Sequence, residues 1–554
     1  MASRKRLSTS DAVSFCTQSD DDDLSSASDS ENETSRDEIH VEEFGEPDEP
    51  LSDNENDQLT SDEEAEHDEE GRYAVQTVRS TRRKKFIVHD IESSLNSDNY
   101  DPLMIDRAEE NVEIRVPLEK VGKRVVSEIV WTNKIPNQHV RQADENILSS
   151  EPGVKPEYQH NTDIEATWSL FMNDEIISII VEYTNQNIRE KIAKSTAMKN
   201  RTNKHKVCHL YETSTQEIKA FIGLWYLRGL LRWTFHDVAI VFSSKYGNRV
   251  FNATMSIKRF RFLCGALRYD DIATRAERFL HDRATAIRKV IEVFFDRCAK
   301  VMKPDAYLSL DETLYATRVG VSFRQYNKSK PAKYGLLVRS INSAVMPYTF
   351  CGHLYAGKPI GEPNEHYVQG TDVLVQYLVN FLKIRSCLKG RNISFDRYYT
   401  SLSTAVWLLD KKITCVGTMN SIRKGVNVQQ IKGTIGRDAP STVIRWEKYE
   451  DTPSRGKVAK SLTSYVVKTA SGKRNVLVLT TMVPIIGKTK DDGKQKPAII
   501  KFYDYTKGGT DIVDQIMTKY SVKPKSAKWT VAAFSYLLDV AKVSPTFQYL
   551  HIPF

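Results

Sequence analysis

The sequence predicts a mixed α/β fold that is preceded by a long acidic segment. Three observations support this prediction. From about Tyr307 the chain shows short apolar runs of strand-like spacing, with helical segments between them. Before that point, from about Asp163, apolar residues recur at helical spacing. The first 160 residues show little apolar periodicity of either kind, so they are expected to lie outside the fold.

Residues 1–160 are predicted to be a disordered acidic region. Residues 20–70 carry 24 Asp or Glu residues against one Arg, and such a segment buries too little apolar surface to offset the entropy lost on ordering. Residues 79–85 (Arg-Ser-Thr-Arg-Arg-Lys-Lys) are typical of a nuclear localisation signal, although such clusters also arise by chance. We therefore expect the nucleus as the location and leave the import role of this cluster open.

The charge of the remaining chain favours a polyanionic partner. The net charge is +7; residues 1–19 contribute +2 and residues 20–70 contribute −23, so residues 71–554 carry +28. Such a basic body indicates nucleic acid first, whereas the alternative is a basic surface that only keeps the protein in solution. The seven scattered cysteines include no Cys-x-x-Cys pair, which favours reduced thiols over a disulfide framework or a zinc finger. No apolar run is long enough to predict a membrane span.

Helices are predicted first along the ordered chain. Asn173 is a suitable N-cap residue ahead of an apolar helical pattern that continues to Val181. Three more helices are predicted at residues 218–231, 256–268 and 286–301. We expect their aromatic side chains in the core rather than against nucleobases.

Strands are predicted in two groups after the helices. The first group comprises residues 307–310, 336–340, 349–354, 392–395 and 414–417, with helices predicted at residues 372–382 and 403–409. The second group, at residues 442–446, 462–468 and 474–480, has basic connections that contain glycine. Strands mixed with helices in this way indicate an α/β layer.

Carboxylates stand next to three apolar runs. Asp311 follows residues 307–310, and Asp396 follows residues 392–395. Residues 499–503 are predicted to be a third strand, which breaks before a helix that starts at Thr510 and carries Asp511 and Asp514 on one face. A charge at such a position is solvated, paired or bound to metal. Acidic residues in a first helical turn are also favourable to the helix dipole, and this structural alternative stays open for Asp511 and Asp514.

Four motifs, in this order, resemble those of the piggyBac family of DNA transposases. They are Leu-Ser-Leu-Asp-Glu at residues 308–312, Lys-Pro-Ala-Lys-Tyr-Gly at residues 330–335, Asn-Ile-Ser-Phe-Asp at residues 392–396 and Tyr-Thr-Lys-Gly-Gly-Thr-Asp at residues 505–511. With weaker flanking matches, the resemblance extends from Phe171 to Leu538. It implies an RNase H-like fold in which Asp311, Asp396 and Asp511 form a catalytic DDD triad, with Asp514 as an accessory acid.

With this resemblance, six stretches of chain are predicted. They are the disordered acidic region (1–160), the first part of a helical dimerisation and DNA-binding domain (161–306), the first part of an RNase H-like catalytic domain (307–421), a β-rich insertion (422–497), the last part of the catalytic domain (498–519) and a truncated second part of the helical domain (520–554). The tail at residues 545–554 does not resemble the family's continuation. We therefore expect this chain to lack the family's C-terminal cysteine-rich zinc domain.

The resemblance implies a DDD/DDE-type DNA transposase that cuts and pastes through hairpin ends. Two Mg²⁺ or Mn²⁺ ions would be held by Asp311, Asp396, Asp511 and Asp514, because these ions prefer hard oxygen ligands. Contacts to DNA phosphates are expected from Arg324, Lys330, Lys333, Tyr334 and Lys507. The expected partners are transposon ends, TTAA target sites and a second copy of the chain in a homodimer, without a membrane.

Two other functions stay open from the sequence. A domesticated or decayed copy would bind DNA or chromatin without cleaving it, and the expected loss of the zinc domain favours this alternative. A hydrolase that acts on another substrate with paired carboxylates is a distant third, because it leaves the basic body without a role. The complete acidic triad favours the transposase.

Overall fold

The computed structural model describes residues 112–122, 124–134, 148, 152–159, 163–199, 209–328, 330–448, 460–470, 472–482 and 496–550. The acidic block at residues 20–70, the basic cluster at residues 79–85 and residues 551–554 lie outside these ranges. Within the ranges, no helix is both long and apolar enough to span a membrane.

The first part of the chain forms a hairpin followed by helices. The hairpin strands are β1 (Glu113–Val121) and β2 (Arg124–Thr132), and a short strand β3 (Gly153–Val154) and a 3-10 turn (Pro156–Tyr158) come next. The helices are α1 (Ile164–Ser169), α2 (Asp174–Lys199), α3 (Thr215–Leu230), α4 (Val238–Val241), α5 (Arg249–Thr254), α6 (Ile257–Ala266), α7 (Ile272–His281) and α8 (Thr285–Val301). Asn173 caps α2 as predicted, because its Oδ1 accepts from the Ile176 N–H at 3.1 Å.

Strands dominate the second part of the chain, which ends in three helices. Its strands and connecting helices are β4 (Met302–Lys303), β5 (Tyr307–Ala316), β6 (Gln325–Tyr326), β7 (Tyr334–Ser343), β8 (Thr349–Leu354), α9 (Thr371–Arg385), β9 (Asn392–Phe395), α10 (Leu402–Asp410), β10 (Thr414–Thr418), α11 (Gln429–Lys432), β11 (Ser441–Glu447), β12 (Ser461–Thr469) and β13 (Gly472–Thr480). The last helices are α12 (Ala498–Lys507), α13 (Gly509–Lys519) and α14 (Trp529–Leu550).

One mixed sheet runs through the molecule. Its strand order is β1-β2-β11-β12-β13-β10-β9-β5-β7-β6, and β8 also pairs with β7. Within it, β8, β7 and β5 are antiparallel neighbours, while β9 and β10 run parallel to β5 on its other side. This is the RNase H-like arrangement that the resemblance implied. The mixed α/β fold is therefore confirmed, and the strands of the predicted insertion continue the same sheet.

The three C-terminal helices cover one face of the central strand β5. Ser309 donates from its hydroxyl to the Lys507 carbonyl at 2.7 Å, at the end of α12. Further along β5, Thr313 donates to Asp514 of α13, and Tyr315 donates to Asp539 of α14. Because side chains two apart in a strand share a face, Asp311 lies on this covered face as well.

Helix α14 also packs against the early helices. The Tyr226 hydroxyl of α3 donates to the Leu538 carbonyl at 2.9 Å, and the Trp225 and Phe534 rings are 6.2 Å apart. The last helix thus joins two distant parts of the chain in one core.

The boundaries of the six predicted stretches stay predictions.

The hairpin at residues 113–132 corrects two expectations, that residues 1–160 are disordered and that order begins near Asp163. Strand β2 pairs with β11, with Thr132 opposite Trp446. Trp131 is completely buried, and its indole N–H donates to the Gly425 carbonyl at 2.8 Å. The hairpin is stabilised by pairing with the edge of the distant insertion strands. This partner is far away in the sequence, so the local pattern of residues 113–132 does not predict the strands.

Residues 499–503 form a helix, so the strand predicted there is wrong. They lie in α12, and Ile499, Ile500, Phe502 and Tyr503 are all buried. The spacing i, i+1, i+3, i+4 places the four on one helical face, which packs on Val416 and Val478 of the sheet. Their β-prone side chains were outweighed by this tertiary packing. Helix α13 begins at Gly509, one residue before the predicted start.

Candidate active site

Asp311 lies inside the central strand of the sheet rather than at its end, because β5 continues to Ala316. It pairs with Ser340 of β7 on one side of the strand. Its Oδ1 accepts from the Glu312 N–H at 2.7 Å. The carboxylate is thus fixed on the face that the C-terminal helices cover.

Asp396 is brought next to Asp311 by the parallel pairing of β9 with β5. Leu310 is the partner of Phe395, so the following residue of each strand is an aspartate. The turn after β9 fixes the Asp396 side chain, since its Oδ1 accepts from the N–H groups of Tyr398 at 3.0 Å and Tyr399 at 3.2 Å. Two carboxylates that are distant in sequence therefore lie next to each other on adjacent central strands of the sheet.

Burial and mutual repulsion favour the protonated forms of these two acids. Burial, together with the charge of Asp396, raises the pKa of Asp311 to about 8, although Lys330 acts against this. Burial also raises the pKa of Asp396 to about 6. Hydrogen bonds from the backbone N–H groups of Tyr399 and Tyr398 lower this pKa, whereas the charge of Glu312 raises it further. A bound cation would reverse this preference, because it stabilises both ionised carboxylates.

Helix α13 brings the other two predicted acids to the same face. Asp514 accepts from the Thr313 hydroxyl at 2.7 Å, and burial raises its pKa to about 7, with the charge of Asp511 adding to the effect. Asp511 is exposed. The turn before the helix is packed closely, because a Cβ on Gly509 would lie 2.5 Å from the Ser343 carbonyl oxygen. Glycine is therefore required where α13 meets β7.

Lys330 lies among the acids rather than at the open surface. Its Nζ donates to the Glu312 carbonyl at 3.2 Å. Burial lowers the pKa of Lys330, but the charges of Asp311, Glu312, Asp514 and Asp511 outweigh burial and raise it overall. The ammonium group thus interacts electrostatically with four carboxylates of the site.

The other predicted DNA contacts lie in two places. Arg324 stacks 5.1 Å from the centre of the Tyr334 ring, and Lys333 and Tyr334 are exposed on the same loop and strand. Lys507 lies apart from them, 3.6 Å from the Asp504 carboxylate and 5.3 Å from the Tyr503 ring centre. Of the five, Arg324, Lys333 and Tyr334 therefore form one basic and aromatic surface beside Lys330.

Several residues of the site were missed in the sequence. The Tyr399 hydroxyl donates to Glu312 Oε2 at 3.2 Å, so Glu312 is a further acid beside the pair. Exposed Tyr326 packs on Tyr334, with ring centres 4.9 Å apart, and Arg423 donates to the Tyr398 carbonyl. Glu312 stands inside the first matched motif and Tyr398 follows the third by two residues, which was the available signal. Arg423 had none, because it comes from a distant loop.

The side-chain oxygen atoms of the four aspartates are of the type that binds a hard divalent cation. The four aspartates offer only carboxylate oxygens, which Mg²⁺ and Mn²⁺ prefer. In the part of the chain that the structure describes, no three His, Cys, Asp or Glu side chains are close enough together to hold a metal ion as they stand. Asp311 and Asp396 are the preassembled pair, and Asp511 and Asp514 are the candidates to complete it.

Comparison with known proteins gives a consistent result. A family model described as "Transposase IS4" matches residues 165–543. "PiggyBac transposable element-derived protein 3" of Homo sapiens is 25% identical over 376 residues, which are 65% of this chain and 56% of that protein. "PiggyBac transposable element-derived protein 2" of Homo sapiens is 20% identical over 449 residues, which are 78% of this chain and 69% of that protein. The match to the first relative thus spans little more than half of its length.

A solved structure extends the likeness to three dimensions. It is the cryo-EM structure of the piggyBac transposase synaptic complex with hairpin DNA, with a TM-score of 0.62 and 26% sequence identity. The likeness covers 73% of this chain and 78% of that one. The family model spans well over half of the chain, and it includes every acid of the site. The chain belongs to the piggyBac-type transposase family.

Proposed function

We propose that this protein is a DNA transposase that cleaves DNA strands and joins them to new sites with its four aspartates. The observation that carries the proposal is the placement of Asp311 on β5 beside Asp396, which directly follows β9, with Asp514 of α13 bound to the same face of β5. The similarity to a transposase solved with hairpin DNA supports DNA as the substrate and hairpin ends as the route.

In this proposal, Asp311, Asp396 and Asp511 hold Mg²⁺ or Mn²⁺, and Asp514 assists them. When bound, two such ions activate the attacking oxygen and stabilise the leaving oxygen of a phosphodiester. The protein orients the carboxylates for this task. The backbone N–H groups of Glu312, Tyr398 and Tyr399 fix the two strand acids, and the Thr313 hydroxyl fixes Asp514.

The DNA would approach from the side of the basic and aromatic surface. Arg324 and Lys333 supply charge for phosphates there, and Tyr334 supplies a ring. Lys330 is inside the acidic group, so we propose that it bridges between the acids and the phosphate of the strand to be cut. Specific transposon ends, TTAA target sites, a homodimer and the nucleus belong to the same proposal.

A second candidate function is DNA or chromatin binding without cleavage. It is favoured by the exposure of Asp511 and by the lack, among the described residues, of a three-acid group ready for metal. The first relatives are also named transposable element-derived proteins. In this candidate the basic and aromatic surface keeps its role, and the acids do not.

Cleavage of DNA that carries the gene's own flanking ends and TTAA sites separates the two candidates. We expect the wild-type protein with Mg²⁺ or Mn²⁺ to nick at the TTAA boundary and to form hairpins. Asp396→Asn should abolish cleavage by removing one charge without changing side-chain size. Asp410→Asn is the matched control, because Asp410 is an exposed acid at the end of α10.

Each outcome has a defined meaning. Salt-dependent DNA binding without cleavage by the wild type would support the second candidate. Equal cleavage by wild type and Asp396→Asn would contradict the proposed role of the acid pair. Loss of cleavage in Asp410→Asn as well would point to a general defect of the variants.

A further inference from the structure

Tyr398 is a large aromatic residue held at the surface directly beside Asp396. It is 43% exposed, whereas its neighbour Tyr399 is fully buried. The two rings meet edge to face, with their centres 5.0 Å apart. Because the Tyr399 hydroxyl is bound to Glu312, the ring that supports Tyr398 is itself fixed within the acidic site. Tyr398 therefore has a defined position relative to the acids.

The backbone of Tyr398 is fixed on both sides of its side chain. Its N–H donates to Asp396 Oδ1 at 3.0 Å, and its carbonyl accepts from Arg423 Nη2 at 2.6 Å. The turn is closed by Thr400, whose N–H and hydroxyl both donate to the Asp396 carbonyl. A ring that is exposed but preorganised loses little entropy when a flat partner stacks on it.

Three cations lie near Tyr398, and one of them, Arg423, also interacts with the Asp372 carboxylate. Arg397 precedes it and is exposed, and Arg423 and the exposed Lys424 belong to the loop that is bound to its carbonyl. Ile422 of that loop is 58% exposed and adds a small apolar contact. A single exposed ring among cations is a poor protein interface, since interface cores are broad, apolar and depleted in charge. Aromatic rings with arginine beside them are instead typical of sites that bind single-stranded nucleic acid.

We infer that Tyr398 is a stacking platform for one unpaired nucleobase next to the strand position that Asp396 serves. Arg397 and Arg423 bind the phosphates on either side of that base. The inference rests on the proposed DNA cleavage function, because the same carboxylate fixes the turn that carries the ring. Its consequence is that the protein selects DNA whose base pairing is opened at the cut, as a hairpin end requires.

The test compares two duplexes that differ only in whether one thymine near an end is paired or unpaired. In the wild-type protein, the duplex with the unpaired base should bind about tenfold more tightly, which is within the range of one base–aromatic stack. Tyr398→Leu should remove this preference but keep the binding of the paired duplex. Tyr398→Phe should keep the preference, and Tyr246→Leu, which changes another exposed tyrosine (68% exposed), is the matched control.

A second readout locates the base directly. The unpaired thymine is replaced by 5-iodouracil, which cross-links under light to an aromatic ring that stacks on it, and the cross-linked peptide is identified by mass spectrometry. We expect the cross-link at residue 398 in wild type and Tyr398→Phe, and its loss in Tyr398→Leu. A cross-link elsewhere, or an equal preference in wild type and Tyr398→Leu, would overturn the inference. If the wild type binds neither duplex, the proposed function itself fails.

Discussion

At the scale of single residues, His353 is a buried group that couples the fold to pH. It lies on β8 opposite Arg339 and is only 4% exposed, with its Nε2 2.9 Å from the His366 carbonyl oxygen. Burial, with the charge of Arg288 adding to it, lowers the pKa of His353 from 6.5 to about 3. The charges of Arg339 and His366 also oppose its protonation. His353 is therefore neutral in the folded protein at ordinary pH.

We expect acid to destabilise the fold through His353. The pKa of His353 is lower in the folded protein than in the unfolded chain. The contribution of neutral His353 to the free energy of unfolding is therefore fully present above pH 6.5 and is lost as the pH falls toward 3. At pH 5 the expected loss from this residue is about 2 kcal/mol of unfolding free energy. Urea unfolding of wild type and His353→Gln at pH 7.5 and pH 5 measures it, with His236→Gln as an exposed control. The same acid-induced loss in wild type and His353→Gln would contradict this assignment.

The residue scale also shows what the sequence leaves undetermined. The basic run at residues 330–335 predicted contacts to DNA phosphates, and the structure places Lys330 of this run at the Glu312 carbonyl, next in sequence to Asp311. Which lysine turns inward was not predictable, because Lys330 and Lys333 are chemically alike and differ only in what packs around them. Lys330 lies among carboxylates, while Lys333 stays exposed.

At the scale of elements, the close approach of β10 to the Asp396 turn positions the acid. Gly417 of β10 lies under this turn, and a Cβ there would be 2.2 Å from Thr400 Oγ1 and 3.0 Å from the Phe395 carbonyl oxygen. The Thr400 hydroxyl also donates to the Asp396 carbonyl at 2.7 Å. A side chain at residue 417 would therefore displace the turn that carries Asp396.

Gly417→Ala should reduce DNA cleavage strongly and destabilise the fold by about 1–3 kcal/mol, the usual range for overpacking. Cleavage assays and urea unfolding measure the two effects. The double variant Gly417→Ala/Thr400→Ala should recover part of both, because it removes the closest clashing atom. Gly320→Ala is the control, since no atom lies within 4 Å of a Cβ at that position. A cleavage rate unchanged by Gly417→Ala would show that the turn tolerates displacement.

Helices and strands were predicted correctly where the pattern of their own residues is sufficient to determine them. The runs at residues 349–354 and 392–395 agree with β8 and β9, because alternating apolar residues in a buried sheet are a local pattern. The hairpin at residues 113–132 and helix α12 were not predicted. In both, a distant strand or sheet face decides the structure, and neither partner is visible in the local sequence.

At the scale of the whole molecule, the charges are strongly separated along the chain. Removal of residues 1–70 leaves a chain with a net charge of +28 instead of +7. Opposite charge of this size on one chain competes with DNA phosphates for the basic surface. The acidic segment is therefore expected to weaken binding to DNA of arbitrary sequence.

Deletion of residues 1–70 should raise the affinity for unrelated duplex DNA by about tenfold at low salt. Fluorescence anisotropy over a series of salt concentrations measures the affinity and its salt dependence. A full-length variant with the acids of residues 20–70 changed to Asn and Gln is the matched control, because it removes charge and keeps chain length. If both variants bind like wild type, the acidic segment has no such role.

The pairing of β2 with β11 and the packing of α13 on β5 also set the order in which parts of the fold can assemble during synthesis. The hairpin leaves the ribosome long before the strand that it pairs with, so it must wait for residues 441–447. Asp311 and Asp396 are likewise made before the helix that carries Asp511 and Asp514. A nascent chain that ends before Asp514 lacks part of the set of four acids, so the site proposed for DNA cleavage is completed only after most of the chain has been made.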